Sequence, residues 1–484
     1  MAHRPVLHPA VRSQATLGPS RTPGFVESWR KLATLSARSW GTFIVFLAVA
    51  FATFNFSALR QDVRVYIGPF PFGFADFAAA LALVPVIIAF AQRQSVPWDK
   101  WTLHLVVLVS YMTLVGVAVA LIRHTPLYGI AQEARIVVYI AVGYLAALIL
   151  MRSETDLRIV VWVTLAFGLG IALSEIWILY SNSDAATLRS GCANPCPGAW
   201  GGGRWVRLLF ADPPSEALLL VSALFLLLPR FIPRALSMGL IALFGAAVVF
   251  TFSRNQWLSV AVAVAGLVLL TGVRRALKPL VAVLAIVIVV VGGLALSTPT
   301  FRNVYLPSIV NTVIHTGSSS DITTKERIVR TEQGFKVIFS SPWRAVFGVG
   351  YGSSSSNAYQ DQTRYLDAHD GYLFFLYSGG LIGLLLIVTF LGRLVRDGWI
   401  WTSQALRATP TLTVAFAAFG VVFLIDMIVR SFVAMGIFYV QHAVYSGFVL
   451  GTLAAIVAGR LVSSAPEATG THPLHLAEEG VSPA

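Results

Sequence analysis

Apolar runs near twenty residues long recur along this 484-residue chain, each bounded by Arg, Gly, Pro or Trp. A run of that length matches the hydrocarbon thickness of a bilayer and reads as a transmembrane helix. Open sheet edges leave backbone groups unsatisfied in lipid, and the alternating pattern of barrel strands is absent. Only 12% of the residues are charged, against about 25% in a soluble domain, and the mean hydropathy is +0.75. The sequence therefore specifies an all-α polytopic membrane protein.

About 12 spans are expected, near 40–58, 73–92, 102–122, 133–151, 158–180, 214–231, 235–252, 257–273, 279–298, 369–392, 409–429 and 432–458. Basic residues in short loops mark the cytoplasmic side. They collect at Arg93 and Lys100, Arg152 and Arg158, Arg230 and Arg234, Arg274, Arg275 and Lys278, then Arg393, Arg396 and Arg407. Both termini then lie in the cytoplasm. Residues 1–39 read as a disordered basic tail and 461–484 as a disordered polar one. Residues 40–298 carry nine spans and a cysteine-containing outer loop at 181–213, and residues 369–460 carry the last three. Between them, residues 299–368 form one large extracytoplasmic loop with short helices. The first apolar run has no cleavage site after it and reads as an anchor in the cytoplasmic membrane.

The net charge of +13 fits basic cytoplasmic loops plus a basic tail. A share of it on the outer side would suit an anionic substrate or headgroup. Nucleic acid is excluded as a partner, because no soluble basic domain exists to hold it. Cys192 and Cys196 stand in Gly191-Cys192-Ala193-Asn194-Pro195-Cys196-Pro197. Two cysteines with no His, Asp or Glu between them do not make a zinc site. In an extracytoplasmic loop a short-range disulfide is expected, with two free thiols as the alternative.

The residues that could carry chemistry lie at the outer rim. Arg254 sits in Thr251-Phe252-Ser253-Arg254-Asn255-Gln256-Trp257, a turn between two apolar runs. It reads either as an arginine snorkelling to headgroups beside an interfacial tryptophan or as a functional charge. Arg327 and Arg330 open an amphipathic helix over about 325–341, with Ile328, Phe335, Val337, Ile338 and Phe339 on its apolar side. Three residues apart, they share one helical face. That face is either simply solvated or a guanidinium fork able to grip phosphate bidentately. His369 opens the tenth span between Asp367 and Asp370. It is either a satisfied interface residue or a proton acceptor near neutral pH, oriented by those aspartates. Arg207 lies upstream of Asp212-Pro213-Pro214, where Asp212 suits a helix cap. Gly348-Val349-Gly350-Tyr351-Gly352 lacks the strand-to-helix context of a nucleotide loop, so a turn packed close to the membrane is the better reading. No cluster of metal ligands and no Walker motif is present, and no cofactor is called for.

Three pieces, in order, resemble the O-antigen ligase/polymerase superfamily: Ser253-Arg254 before Trp257, Arg327 followed by Pro342 and Gly348-x-Gly350, and His369-x-Gly371-Tyr372-Leu373 followed by Gly379-Gly380. Asp370 departs from the family pattern, which has asparagine there. The resemblance implies a GT-C-like, inverting glycosyltransferase that needs neither nucleotide sugar nor metal. It would take a glycan from a polyprenyl pyrophosphate donor and join it to a glycan or glycolipid acceptor outside the cytoplasm. Arg254, Arg327, and Arg330 or Arg207 would bind the pyrophosphate. His369 would accept the acceptor's proton or contact the pyrophosphate. The competing expectation is a transporter or flippase of lipid-linked glycan, using the same arginines without chemistry.

Overall fold

The computed structural model describes residues 37–59, 65–67, 70–94, 98–180, 212–250, 254–277, 322–352, 371–408, 410–432 and 440–461, with isolated positions between 281 and 310. Both tails, the cysteine loop with Cys192 and Cys196, and nearly all of the ninth expected span lie outside the described residues.

Thirteen helices run through the described residues. The first two are α1 (Ala37–Leu59) and α2 (Phe74–Ala91), followed by α3 (Lys100–Ile122), α4 (Leu127–Leu150) and α5 (Glu154–Tyr180). Then come α6 (Asp212–Leu227), α7 (Arg234–Phe250) and α8 (Arg254–Thr271). The polar segment contributes α9 (Ile322–Ile338) and α10 (Pro342–Phe347), and α11 (Gly371–Ala405), α12 (Leu412–Ser431) and α13 (Val440–Val457) complete the set. Six of these are long and apolar enough to cross a membrane, and five shorter apolar helices accompany them. The chain is thus a multi-pass membrane protein.

Several boundaries differ from the hydropathy reading. In the connection at 59–72, Val65–Ile67 (β1) and Phe70–Phe72 (β2) pair as a small antiparallel hairpin. Helix α4 starts at Leu127 rather than near 133. Helix α11 continues past 392 to Ala405, because its polar end has partners: Asp397 accepts from the Trp101 indole at 3.1 Å and pairs with Lys100 at 2.6 Å. Arg430 and Ser431 do not form a turn between two spans. They are the buried last residues of α12, and Arg430 stays helical because it pairs with Asp426 one turn earlier.

Packing relies on small residues, as helix association in lipid does. Gly447 and Gly451, four apart on α13, lie so close to α4 that a Cβ would stand 2.1 Å from the Ile140 carbonyl and 2.3 Å from the Tyr144 carbonyl. The pairs 140 with 447 and 144 with 451 make α4 and α13 parallel. Helices α3 and α11 run antiparallel, tied by Lys100 to Asp397, by His104 to the Leu386 carbonyl at 3.1 Å and by Tyr111 to the Gly379 carbonyl at 2.9 Å. At the start of α2, Asp76 accepts the Gly73 N–H at 2.6 Å, pairs with Arg135 at 3.2 Å and takes a short bond from Tyr139. This apparent polar intruder in an apolar run is a helix cap joined to an ion pair.

Candidate active site

One end of the bundle gathers the starts of α4, α6, α8, α11 and α13 with the ends of α3 and α12. The turn Gly348–Gly352 inserts there. Its three glycines have φ near +80°, a region costly for any residue with a Cβ. They also admit close backbone approach. A Cβ on Gly350 would lie 2.5 Å from the Ala120 nitrogen, and one on Gly348 2.4 Å from the Tyr377 carbonyl. The Val349 N–H donates to the Tyr377 carbonyl at 2.6 Å and the Tyr351 N–H to the Gly116 carbonyl at 3.1 Å. Two charged side chains hold the turn from outside. Arg123 donates to the Val349 carbonyl at 2.6 Å, and buried Glu133 accepts the Gly352 N–H at 2.7 Å. Burial, then the nearby Glu133 carboxylate, pushes the Tyr351 phenol well above its ordinary value.

The glycine pair of α11 is the counterpart of this turn. Gly380 breaks the helix at φ 66° and ψ −163°. A Cβ there would stand 2.1 Å from the Val346 carbonyl and 2.6 Å from the Gly348 nitrogen. The Gly-x-Gly turn and the Gly379-Gly380 kink therefore form one interlocked backbone contact.

Helix α9 docks on α11 through Gly334, where a Cβ would meet the Tyr377 hydroxyl at 1.7 Å, and through the fully buried Ile338. At about 100° per residue, positions 327 and 330 fall within about 20° and 40° of Gly334. They share the face that docks. The apolar residues expected on one side of this helix divide instead, with Ile338 buried and Ile328, Phe335 and Phe339 exposed. Ser341 caps α10 by accepting the Arg344 N–H at 3.3 Å, with Pro342 at the first helical position.

The start of α11 attaches directly to the last turns of α12, and the start of α8 reaches them through Ser215 of α6. Gln256, in the first turn of α8, donates to Ser215 at 2.9 Å, and Arg430 donates to the same hydroxyl at 3.2 Å while pairing with Asp426. Tyr372, the second residue of α11, donates to the Ile428 carbonyl at 3.2 Å. Beside Ser215, Glu216 is buried and hydrogen-bonds Tyr445, which also meets Thr164 at 3.4 Å. Trp257 does not simply mark an interface. Its indole donates to the Val248 carbonyl at 2.9 Å, binding α8 back to α7 across the Ser-Arg turn.

The backbone of Arg254 opens α8, and those of Arg327 and Arg330 lie in α9; their side chains fall outside the described set. Arg207, Asp367, His369 and Asp370 lie outside the described residues altogether, although His369 is two residues before Gly371, where α11 begins. Sequence reasoning gave no role to Arg430, Asp426, Ser215, Glu216, Gln256 or Glu133. A signal was available in Asp426-x-x-x-Arg430, two opposite charges one turn apart in an apolar run. Among the described residues no three His, Cys, Asp or Glu side chains gather as a metal site requires.

Fold and site together define a multi-pass membrane protein with a charged and hydrogen-bonded cluster at one end of its helices. Residues 217–388 match the family model described as O-antigen ligase. Over that stretch the chain bears out its resemblance to the O-antigen ligase/polymerase superfamily, and the match supports a membrane enzyme that ligates or polymerises glycan. No curated protein matches the chain.

Proposed function

We propose that this chain is an inverting, metal-independent glycosyltransferase of GT-C-like architecture with about 12 spans, its termini cytoplasmic and its site facing the extracytoplasmic side of the cytoplasmic membrane. It moves a glycan from a polyprenyl pyrophosphate carrier to an acceptor sugar, as an O-antigen ligase or a polysaccharide polymerase does. The observation that carries this reading is the family match over 217–388, which takes in the start of α8, helix α9, the interlocked glycines and the start of α11.

In this mechanism Arg254 and Arg327, with Arg330 or Arg207, bind the pyrophosphate. Guanidiniums supply the charge that balances the leaving group as the glycosidic carbon–oxygen bond breaks. His369 takes the proton of the attacking acceptor hydroxyl, or else contacts the pyrophosphate, with Asp367 and Asp370 orienting the imidazole. Support comes from helical register, which puts positions 327 and 330 on the docked face of α9, and from the bonds that tie α11 directly, and α8 through Ser215, to the same end of α12. A carrier that only moved lipid-linked glycan would need its ionisable groups near mid-membrane. Among the described residues they collect toward helix ends instead.

The test is transfer in cells or proteoliposomes with Arg254→Ala, Arg327→Ala and His369→Ala at matched membrane levels. Each variant is expected to lose transfer while lipid-linked glycan accumulates. Unchanged transfer in all three overturns the reading.

A further inference from the structure

Helix α9 has three sectors rather than the two of an ordinary amphipathic helix. Taking about 100° per residue, Gly334 and Ile338 mark the protein-facing side. Roughly 80–120° further round from their midpoint come Phe335, Ile328 and Phe339, with Glu332 at the edge of that sector and Lys336 and Gln333 beyond it. The middle sector is apolar yet open: Ile328 is 60% exposed, Phe335 40% and Phe339 53%. Helix α10 extends it with Trp343, 74% exposed. Phe335 stacks on Phe339 at 6.0 Å between ring centroids and Trp343 on Phe347 at 5.3 Å, so the stripe presents ordered aromatic faces. A solvated surface helix has no use for such a sector. A helix lying in a membrane interface needs this order of protein, acyl chain and water.

The level of the segment agrees. Gly348 seats against Gly380, nine residues into α11 and hence about 14 Å along it at 1.5 Å per residue. Gly350 and Tyr351 contact Ala120 and Gly116 within the last turns of α3. The α10 turn is therefore set between the spans rather than above them. Its exposed Val346 adjoins Gly380, after which α11 exposes Leu381, Ile382 and Leu385. The aromatic stripe runs without a break into the lipid-facing surface of a spanning helix.

We propose that α9 and α10 lie in the plane of the membrane, with Ile328, Phe335, Phe339 and Trp343 sunk among the acyl chains of the leaflet at this end of the bundle. The long polar segment is then in part a lipid-seated element, not a water-borne domain. Where the transferase reading holds, this seating keeps positions 327 and 330 at headgroup height, the level of a lipid-linked pyrophosphate. The seating itself does not depend on that reading.

The test uses the full chain in phosphatidylethanolamine–phosphatidylglycerol vesicles, with a nitroxide at Phe339→Cys, Trp343→Cys, Lys336→Cys or Gln333→Cys. Leu385→Cys serves as the lipid-facing reference, and the labelled wild-type chain corrects for Cys192 and Cys196. Collision with oxygen, which concentrates in lipid, is compared with collision with a neutral nickel chelate, which stays in water. Positions 339 and 343 are expected to follow 385, with several-fold higher oxygen-to-nickel accessibility than 336 and 333. Equal nickel access at 339, 343 and 333 overturns the proposal in favour of a water-exposed stripe. Shielding of 339 and 343 from both reagents overturns it in favour of a protein partner or a second copy. Neither result touches glycan transfer, so failure here is distinct from failure of the transferase reading.

Discussion

Replacing Gly380 by alanine tests the interlock that joins α10 to α11. At φ 66° and ψ −163° the residue occupies a region reserved for glycine, so any Cβ carries about 1–3 kcal/mol of backbone strain. The added methyl would also stand 2.1 Å from the Val346 carbonyl oxygen. That neighbour is backbone and cannot swing aside, and such overpacking costs about 1–3 kcal/mol more. The sum, about 2–6 kcal/mol, is enough to weaken the seating of the Gly348–Gly352 turn by one to four orders of magnitude. Gly392→Ala is the matched control, since nothing lies within 4 Å of its Cβ position. In a helix that change should be neutral or stabilise by about 0.5–1 kcal/mol. The assay is thermal unfolding of detergent-purified protein followed by intrinsic fluorescence, with glycan transfer measured in parallel. Gly380→Ala is expected to melt lower and transfer less, Gly392→Ala to match wild type. Equal melting and transfer for both variants would refute the interlock.

Arg430→Ala leaves Asp426 buried without its cation, a loss of about 3–5 kcal/mol visible as lower melting temperature and membrane level. The double change Asp426→Leu with Arg430→Met should recover much of it. Glu133→Ala leaves the Gly352 N–H without its acceptor and should destabilise by about 1–3 kcal/mol, whereas Glu133→Gln keeps an acceptor and loses less, both read by thermal melts. Gly447→Val drives a side chain into the Ile140 carbonyl and should depress melting more than Gly239→Ala, which meets nothing within 4 Å. Arg327→Ala and Arg330→Ala should each lower transfer by about 10²–10³, the scale for losing one charge-stabilising donor. Lys336→Ala, on the exposed sector of the same helix, should leave it near wild type.

Hydropathy made the membrane class legible because lipid demands long apolar helices whatever their neighbours are. The 17-residue α9 was legible too, since its apolar spacing is local, and expected bounds of 325–341 stand close to Ile322–Ile338. The division of that apolar set between a buried face and an open one was hidden. Phe339 and Ile338 read alike as letters, and only docking through Gly334 separates them. The close-packed turn at Gly348 could be expected from its glycines, but its partner at Gly380 lies 32 residues on and required the fold. The cluster around Ser215 escaped for the same reason: Gln256 and Arg430 reach it from 41 and 215 residues away. Helices run past the expected span ends where charges find partners, as at Asp397 and Arg430, because a hydropathy window treats a paired charge as a solvated one.

The account stands or falls on whether the site breaks a bond. Purified protein in vesicles, given a polyprenyl pyrophosphate-linked glycan and an acceptor sugar, should release polyprenyl pyrophosphate in one-to-one proportion with extended or ligated acceptor. Donor that crosses between leaflets intact, with neither product formed, would contradict the transferase and assign the same arginines to carriage.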